Sequence, residues 1–251
     1  MKAVALITGA SSGLGVEFAR QLSKKGHRLV LAARRRDRLN ALATELGNAR
    51  AVAVDLSRPG AVKTLLADLD NADEQVETLI NNAGFGLRGR FVELDAARER
   101  EMIDLNVGTL TELCRAIAPQ MVERKSGAIL NVASTAAFQP GPNMAVYFAT
   151  KAYVLSFTEA LHEELKPRGV KVSALCPGPT RTEFGEVAGI KTLGQFDRLA
   201  MESGPVVRAG LEGLEANVAV VIPGATNKIG AWSTRLAPRS VVRRIAGSLK
   251  F

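Results

Sequence analysis

Seven short apolar runs alternate with longer stretches of helical period from the amino terminus to about residue 222, which predicts an α/β fold on one doubly wound parallel sheet. The runs are rich in β-branched residues and alanine. They are apolar throughout rather than at every second position, so both faces are expected to be buried under helices. Right-handed crossovers then make the sheet Rossmann-like, with ligands at the carboxyl ends of its strands.

The first predicted strand is Ala3–Thr8. The turn Thr8-Gly9-Ala10-Ser11-Ser12-Gly13-Leu14-Gly15 follows at once and opens a helix patterned through Val16–Lys25. Three glycines let the chain turn sharply, let its backbone approach a pyrophosphate, and let helix pack on strand. The helix amino end adds free N–H groups and a positive dipole end. Gly9, Ser11, Ser12, Gly13, Leu14 and Gly15 are therefore candidate dinucleotide ligands.

The second strand, Arg28–Ala33, runs into Arg34-Arg35-Arg36-Asp37-Arg38. NAD-binding sheets carry a carboxylate here to bond the adenosine ribose, whereas an arginine accommodates a 2′-phosphate. The expected cofactor is NADP(H), held by charge-assisted bonds from Arg34 and Arg35. Arg36 and Arg38 read as a solvated helix start. A helical pattern over Arg38–Leu46 leads to strands at Arg50–Val54, Val76–Asn81 and Ala128–Ala133. Ala152–Leu165 is again helical, and Val170–Leu175 and Asn217–Ile222 are the last strands.

Residues 182–213 interrupt the alternation with Gly185, Gly189, Gly194, Gly204, Gly210 and Gly213 among Phe184 and Phe196. This reads as a lid over the substrate. Residues 1–230 form one catalytic domain. Residues 231–251 form a basic amphipathic extension broken near Pro238, in which Trp232, Leu236, Val241, Val242, Ile245, Leu249 and Phe251 stand among arginines. Such a helix packs on a neighbouring subunit or the lid, or lies on an anionic membrane surface.

The 251 residues carry a net charge of +8, concentrated in residues 20–50 (+7) and 231–251 (+5), while the rest sums to −4. Neither cluster is interleaved with aromatics, so local anions are expected as partners rather than nucleic acid. Two cysteines, no leader pattern at the amino terminus and no uncharged apolar run of about 18 residues point to the cytoplasm. His27 and His162 lie far apart in sequence, and His162 sits among Glu159, Glu163 and Glu164, which reads as a solvated helix face. No metal site and no Ser-His-Asp hydrolase are expected.

Tyr147 and Lys151 stand four apart in a helical pattern and share a face. An ammonium beside a phenol, reinforced by the positive nicotinamide of the oxidised cofactor, favours the phenolate and lowers its pKa toward the working range, which suits proton transfer to or from a carbonyl oxygen. Ser134, thirteen residues upstream of Tyr147 at a strand end, is placed to hydrogen-bond a developing alkoxide. Tyr153 has no lysine four residues on and reads as packing.

In this order of motifs the chain resembles the short-chain dehydrogenase/reductase family over about residues 3–222. The motifs are Thr8–Gly15, Asp55-Leu56, Asn81-Asn82-Ala83-Gly84, Asn106 in a helix, Ser134, Tyr147-Phe148-Ala149-Thr150-Lys151, and Pro177-Gly178 with Thr182. The resemblance implies that Asn106, Ser134, Tyr147 and Lys151 are catalytic, with Lys151 also holding the nicotinamide ribose and Asn106 organising a water-linked proton path. It places Asp55 on the adenine amino group with Leu56 beside it, and the backbone of Asn82, Ala83 and Gly84 on the adenosine half. Pro177, Gly178 and Thr182 seat the nicotinamide carboxamide. The expected protein is an NADP(H)-dependent oxidoreductase of ketones or aldehydes and a homodimer or homotetramer. The alternative is a cofactor-binding regulatory or membrane-surface protein without turnover.

Overall fold

The computed structural model describes residues 1–189 and 200–248. Part of the expected lid (190–199) and the last residues of the tail (249–251) lie outside the described residues. The strands are β1 (Lys2–Thr8), β2 (Leu29–Ala33), β3 (Ala49–Ala53), β4 (Glu74–Asn81), β5 (Gly127–Val132), β6 (Val170–Leu175) and β7 (Val220–Val221). They form one seven-stranded parallel sheet in the order β3-β2-β1-β4-β5-β6-β7. The chain winds outward from β1 on one side and from β4 on the other. The crevice of such a sheet opens where these two directions part, between the carboxyl ends of β1 and β4.

Alternate residues of each strand feed opposite cores, as the pleat requires. In β1, Ala5 and Ile7 face α1 (Gly13–Lys24) and α2 (Arg36–Leu46), joined there by Phe18, Leu22, Leu39 and Leu42. Val4 and Leu6 face α3 (Ala61–Asn71), α5 (Leu110–Glu123) and α6 (Ala145–Leu165), where Leu65, Leu113 and Val154 bury. A shorter helix, α4 (Ala96–Ile103), precedes α5, and α7 (Phe184–Val187) follows β6.

Three findings depart from expectation. First, residues Ser203–Glu215 form a helix, α8, whose Val206, Val207, Leu211 and Leu214 bury in the same core as α1. That part of the segment 182–213 is a wall of the fold, because its apolar residues face the sheet at helical spacing. Second, the seventh strand is reduced to Val220–Val221, for the chain enters it through Asn217 in a left-handed conformation (φ 52°). The Asn217 side chain there accepts from the Val172 N–H at 3.2 Å, replacing a ladder partner. Third, His162 is buried, and its Nδ1–H donates to the Val172 carbonyl at 2.7 Å, so it ties α6 to β6 rather than facing water.

Beyond β7 lie α9 (Ala225–Leu236) and α10 (Arg239–Ser248), separated at Ala237-Pro238. Ala231, Val242 and Ala246 face inward, while Ile229, Trp232 and Leu236 form an outward stripe. Among the described residues no helix is long and apolar enough to cross a membrane.

A wall and a lid respond differently to truncation. Leu211→Ala should lower global stability by about 2–4 kcal/mol, read as a displaced urea midpoint. A midpoint unchanged from wild type would return α8 to the role of a mobile cover.

Candidate active site

A cleft of about 600 Å³ lies at the carboxyl ends of the strands and gathers every residue singled out from the sequence except Gly13, Gly15 and Asn106. Its floor is the turn after β1. Gly9 adopts φ +66°, and a Cβ at Gly15 would collide with the Gly9 carbonyl, so neither position tolerates a side chain. Ser12 starts α1 from an extended conformation with no side chain capping the helix, which leaves its amino end to an anion.

Asn82 holds this turn in shape. Its Nδ2 donates to the carbonyls of Thr8 (2.9 Å) and Gly9 (3.3 Å). The backbone N–H groups of Asn82 and Ala83 both donate to the Thr8 hydroxyl at 3.0 Å, and that hydroxyl donates to the Ile80 carbonyl. The sequence marks Thr8 as the strand end that opens the glycine-rich turn, without a role for its hydroxyl. Its hydroxyl joins β1 to β4.

At the adenosine end, Arg35 donates through Nε to the Ser11 hydroxyl and through Nη2 to its carbonyl, both at 3.2 Å. Its Nη1 reaches Glu183 at 3.0 Å, and Arg38 reaches the other Glu183 oxygen at 2.6 Å. Arg38, exposed at the start of α2 as expected, also reaches this cluster through Glu183. Arg34 stands 3.6 Å from Glu101 and is more than half exposed. Asp55 accepts from the Ser57 hydroxyl (2.7 Å) and N–H (3.2 Å). Burial works to raise the Asp55 pKa, but those bonds and the charges of Arg34 and Arg58 bring it below the usual value. Leu56 is buried beside it, and its carbonyl accepts from Thr109.

At the other end of the cleft, Ser134 follows β5, and its Oγ accepts from the Ala136 N–H at 3.1 Å. Pro177 and Gly178 follow β6; Gly178 lies against the Asn227 side chain of α9, and Thr182 against Gly13. Tyr147 and Lys151 sit one turn apart on α6, both buried. Lys151 Nζ donates to the Val132 carbonyl at 2.8 Å and lies 5.9 Å from the centre of the Tyr147 ring. The Phe184 ring of α7 packs against the same tyrosine at 5.3 Å.

Burial controls both titrations. It pushes the Tyr147 phenol up to about 12, against a smaller lowering by its hydrogen bond with Ser134. It pushes the Lys151 amine down to about 8, against a smaller rise from Cys176. Without a bound dinucleotide the phenol therefore lies above its ordinary value; the expected lowering belongs to the site with the oxidised nicotinamide beside the ammonium.

Asn106 stands behind this pair, buried in a single π-helical stretch, Asp104–Thr109, between α4 and α5. Its Nδ2 donates to the Phe85 carbonyl (2.9 Å) and Thr150 (3.1 Å), and its Oδ1 accepts from the Phe85 N–H (3.1 Å). A Cβ at Gly84 would crowd Asn106 Oδ1, which explains the glycine there.

A cleft at the carboxyl ends of a doubly wound sheet, lined by a serine, a tyrosine and a lysine, suits a dinucleotide-dependent oxidoreductase. The short chain dehydrogenase family matches residues 3–191, and the chain belongs to it. It is an oxidoreductase of hydroxyl and carbonyl groups that uses a nicotinamide dinucleotide. Sulfoacetaldehyde reductase 2 of Chromohalobacter salexigens is 38% identical over 73% of this chain and 75% of its own. An NADP-dependent 3-hydroxy acid dehydrogenase of Salmonella typhi is 36% identical over 73% of this chain and 75% of its own. Among solved structures, a short-chain dehydrogenase from Sphingobium yanoikuyae in complex with NADPH superposes with a TM-score of 0.82. It is 35% identical and covers 100% of this chain and 97% of its own. The bulky-bulky ketone specific alcohol dehydrogenase of Comamonas testosteroni gives 0.79, with 30% identity over 100% of this chain and 95% of its own.

The buried amine has a thermodynamic signature. Its folded value of about 8 lies below the ordinary 10.5, so between these pH values the unfolded chain holds a proton that the folded protein releases. Stability from this group therefore rises with pH across that window. Relative to Lys151→Met, wild type should gain up to about 3 kcal/mol between pH 8 and 10.5 in paired urea melts. Parallel pH profiles for the two proteins would contradict a depressed amine.

Proposed function

We propose that the protein is an NADP(H)-dependent carbonyl reductase and alcohol dehydrogenase, interconverting a ketone or aldehyde and its alcohol. The observation that carries this reading is the meeting of Tyr147, Ser134 and Lys151 at one end of a cleft whose other end presents Arg34 and Arg35. The cleft fits the dinucleotide, since the turn at Gly9 and Gly15 excludes side chains and α1 opens uncapped. A bound nicotinamide supplies the hydride.

The chain's own groups handle the proton. A phenol near 12 is protonated at neutral pH, the form that donates to a carbonyl oxygen in the reductive direction. Ser134 bonds the same oxygen as charge develops on it, and Lys151 lends positive charge close to the Tyr147 ring. Asn106 holds the Phe85 backbone and Thr150 in place behind them. Asp55, Asn82, Ala83 and Gly84 wall the adenosine half, and Pro177, Gly178 and Thr182 border the nicotinamide end.

Arg34 and Arg35 favour the 2′-phosphate, and the NADPH bound to the Sphingobium neighbour supports this cofactor. An apolar cluster of Phe85, Met102, Ala136, Met144 and Phe148 surrounds Tyr147, with Phe184 packed on it. A substrate with apolar flanks fits this wall, and the described residues Thr182–Gly189, with Phe184 on Tyr147, border it. Two buried thiols suit a reducing compartment such as the cytoplasm. A homodimer or homotetramer is the assembly this reading carries.

Tyr147→Phe should lower reductive turnover by about 10²–10⁴-fold while NADPH titrates within about twofold of wild type. Retained turnover with bound cofactor would remove the proton role. Arg34→Asp should weaken NADPH binding by about 10–100-fold and leave NADH nearly unchanged. Equal losses for the two dinucleotides would defeat the assignment.

A further inference from the structure

Glu183 occupies an unusual place for a carboxylate. It lies against Arg35, one of the two arginines expected to meet a phosphate, with one oxygen on Arg35 at 3.0 Å and the other on the neighbouring Arg38 at 2.6 Å. It also opens the cover: Thr182 precedes it, and Phe184, the next residue, rests on Tyr147. We infer that Glu183 is a specificity-determining residue, an internal stand-in for the 2′-phosphate of NADP(H) that competes with it for Arg35 and Arg38. This inference rests on the NADP(H) reading above.

The argument is one of charge and donor supply. Arg35 spends Nε and Nη2 on Ser11, so the donor it turns away from the glycine-rich turn is Nη1, and Nη1 is held by Glu183. The bonds from Arg35 and Arg38 keep the Glu183 carboxyl below the usual range, so it is an anion at neutral pH. A phosphate dianion at this guanidinium must displace the carboxylate or lie beside it, and like charges at such separations repel. An NAD(H) adenosine, with only hydroxyls to offer, leaves the carboxylate where it is. Glu183 therefore opposes the phosphorylated dinucleotide selectively and adds Arg38 to the phosphate-binding set.

The pairs are roughly half exposed, so the effect is modest: each gains limited energy in a high dielectric and is screened by salt. Titrations of wild type and Glu183→Gln with NADPH, NADH, 2′,5′-ADP and 5′-AMP, followed by calorimetry, test it. Glu183→Gln should tighten NADPH and 2′,5′-ADP by about three- to tenfold and leave NADH and 5′-AMP within about twofold. The adenosine fragments carry no nicotinamide, so a matching gain on 2′,5′-ADP places the effect at the arginines rather than at Tyr147. Glu183→Ala should repeat the pattern. If wild type prefers the phosphorylated ligands but Glu183→Gln leaves them unchanged or weaker, the inference falls while the NADP(H) reading stands. If wild type binds NADH as tightly as NADPH and 5′-AMP as tightly as 2′,5′-ADP, both fall together.

Discussion

The cleft depends on the hydroxyl of Thr8. It sits where the winding of the sheet changes direction, donates to one residue of β4 and accepts from the two N–H groups that follow that strand. Without it the Ala83 N–H would lose its acceptor in a part-buried setting, at about 1–3 kcal/mol, and the Asn82 N–H would keep only the Ile80 carbonyl. The Asn82 amide then returns to the Thr8 and Gly9 carbonyls, so the phosphate turn and the adenosine wall form one hydrogen-bonded unit. Gly9 and Gly15 are the steric counterpart of this clamp: side chains there would push apart what the hydrogen bonds hold together.

The same economy of partners governs the reacting end. Lys151 is buried against a carbonyl oxygen, not a carboxylate, so nothing nearby repays the desolvation of its charge, and its pKa falls. Cys176 could offer an anion only as a thiolate, and burial pushes that thiol up to about 12. Tyr147 feels the same desolvation with opposite sign. Burial thus favours the neutral form of both groups, which preserves the proton on the phenol and leaves the amine responsive to any new charge brought into the cleft. A pair stabilised by a buried carboxylate would be fixed in one state and less easily shifted by a ligand.

Much of this was legible in the sequence because the functional residues stand at strand ends. A buried parallel strand is a short apolar run, its end is marked by the first polar or glycine residue, and the fold places all such ends along one edge. Hence Gly9, Asp55, Asn82, Ser134 and Pro177, each at or just beyond a strand end, line one cleft. What was not legible depends on orientation about a helix or on encounters between distant segments. The charged neighbours of His162 suggested water, yet a helix has a second face, and that one histidine turns inward to β6. The glycines of residues 203–213 suggested a lid, although Val206, Leu211 and Leu214 keep the spacing of a buried helix. The π-helical stretch around Asn106 carries no propensity signal, and the bonds Asn106 makes there reach Phe85 and Thr150, 21 and 44 residues away.

Arg38 shows the limit most sharply. Read with its neighbours, it is one more basic residue at a solvated helix start, and surface arginines are common enough to justify that reading. Its partner lies 145 residues away, in a segment recognisable only as a cover. Motifs encode what a strand end does for itself, such as turning tightly, exposing N–H groups or presenting a hydroxyl. A competition between a carboxylate and a phosphate belongs to two elements at once, and it is visible only when both are placed on the same arginines.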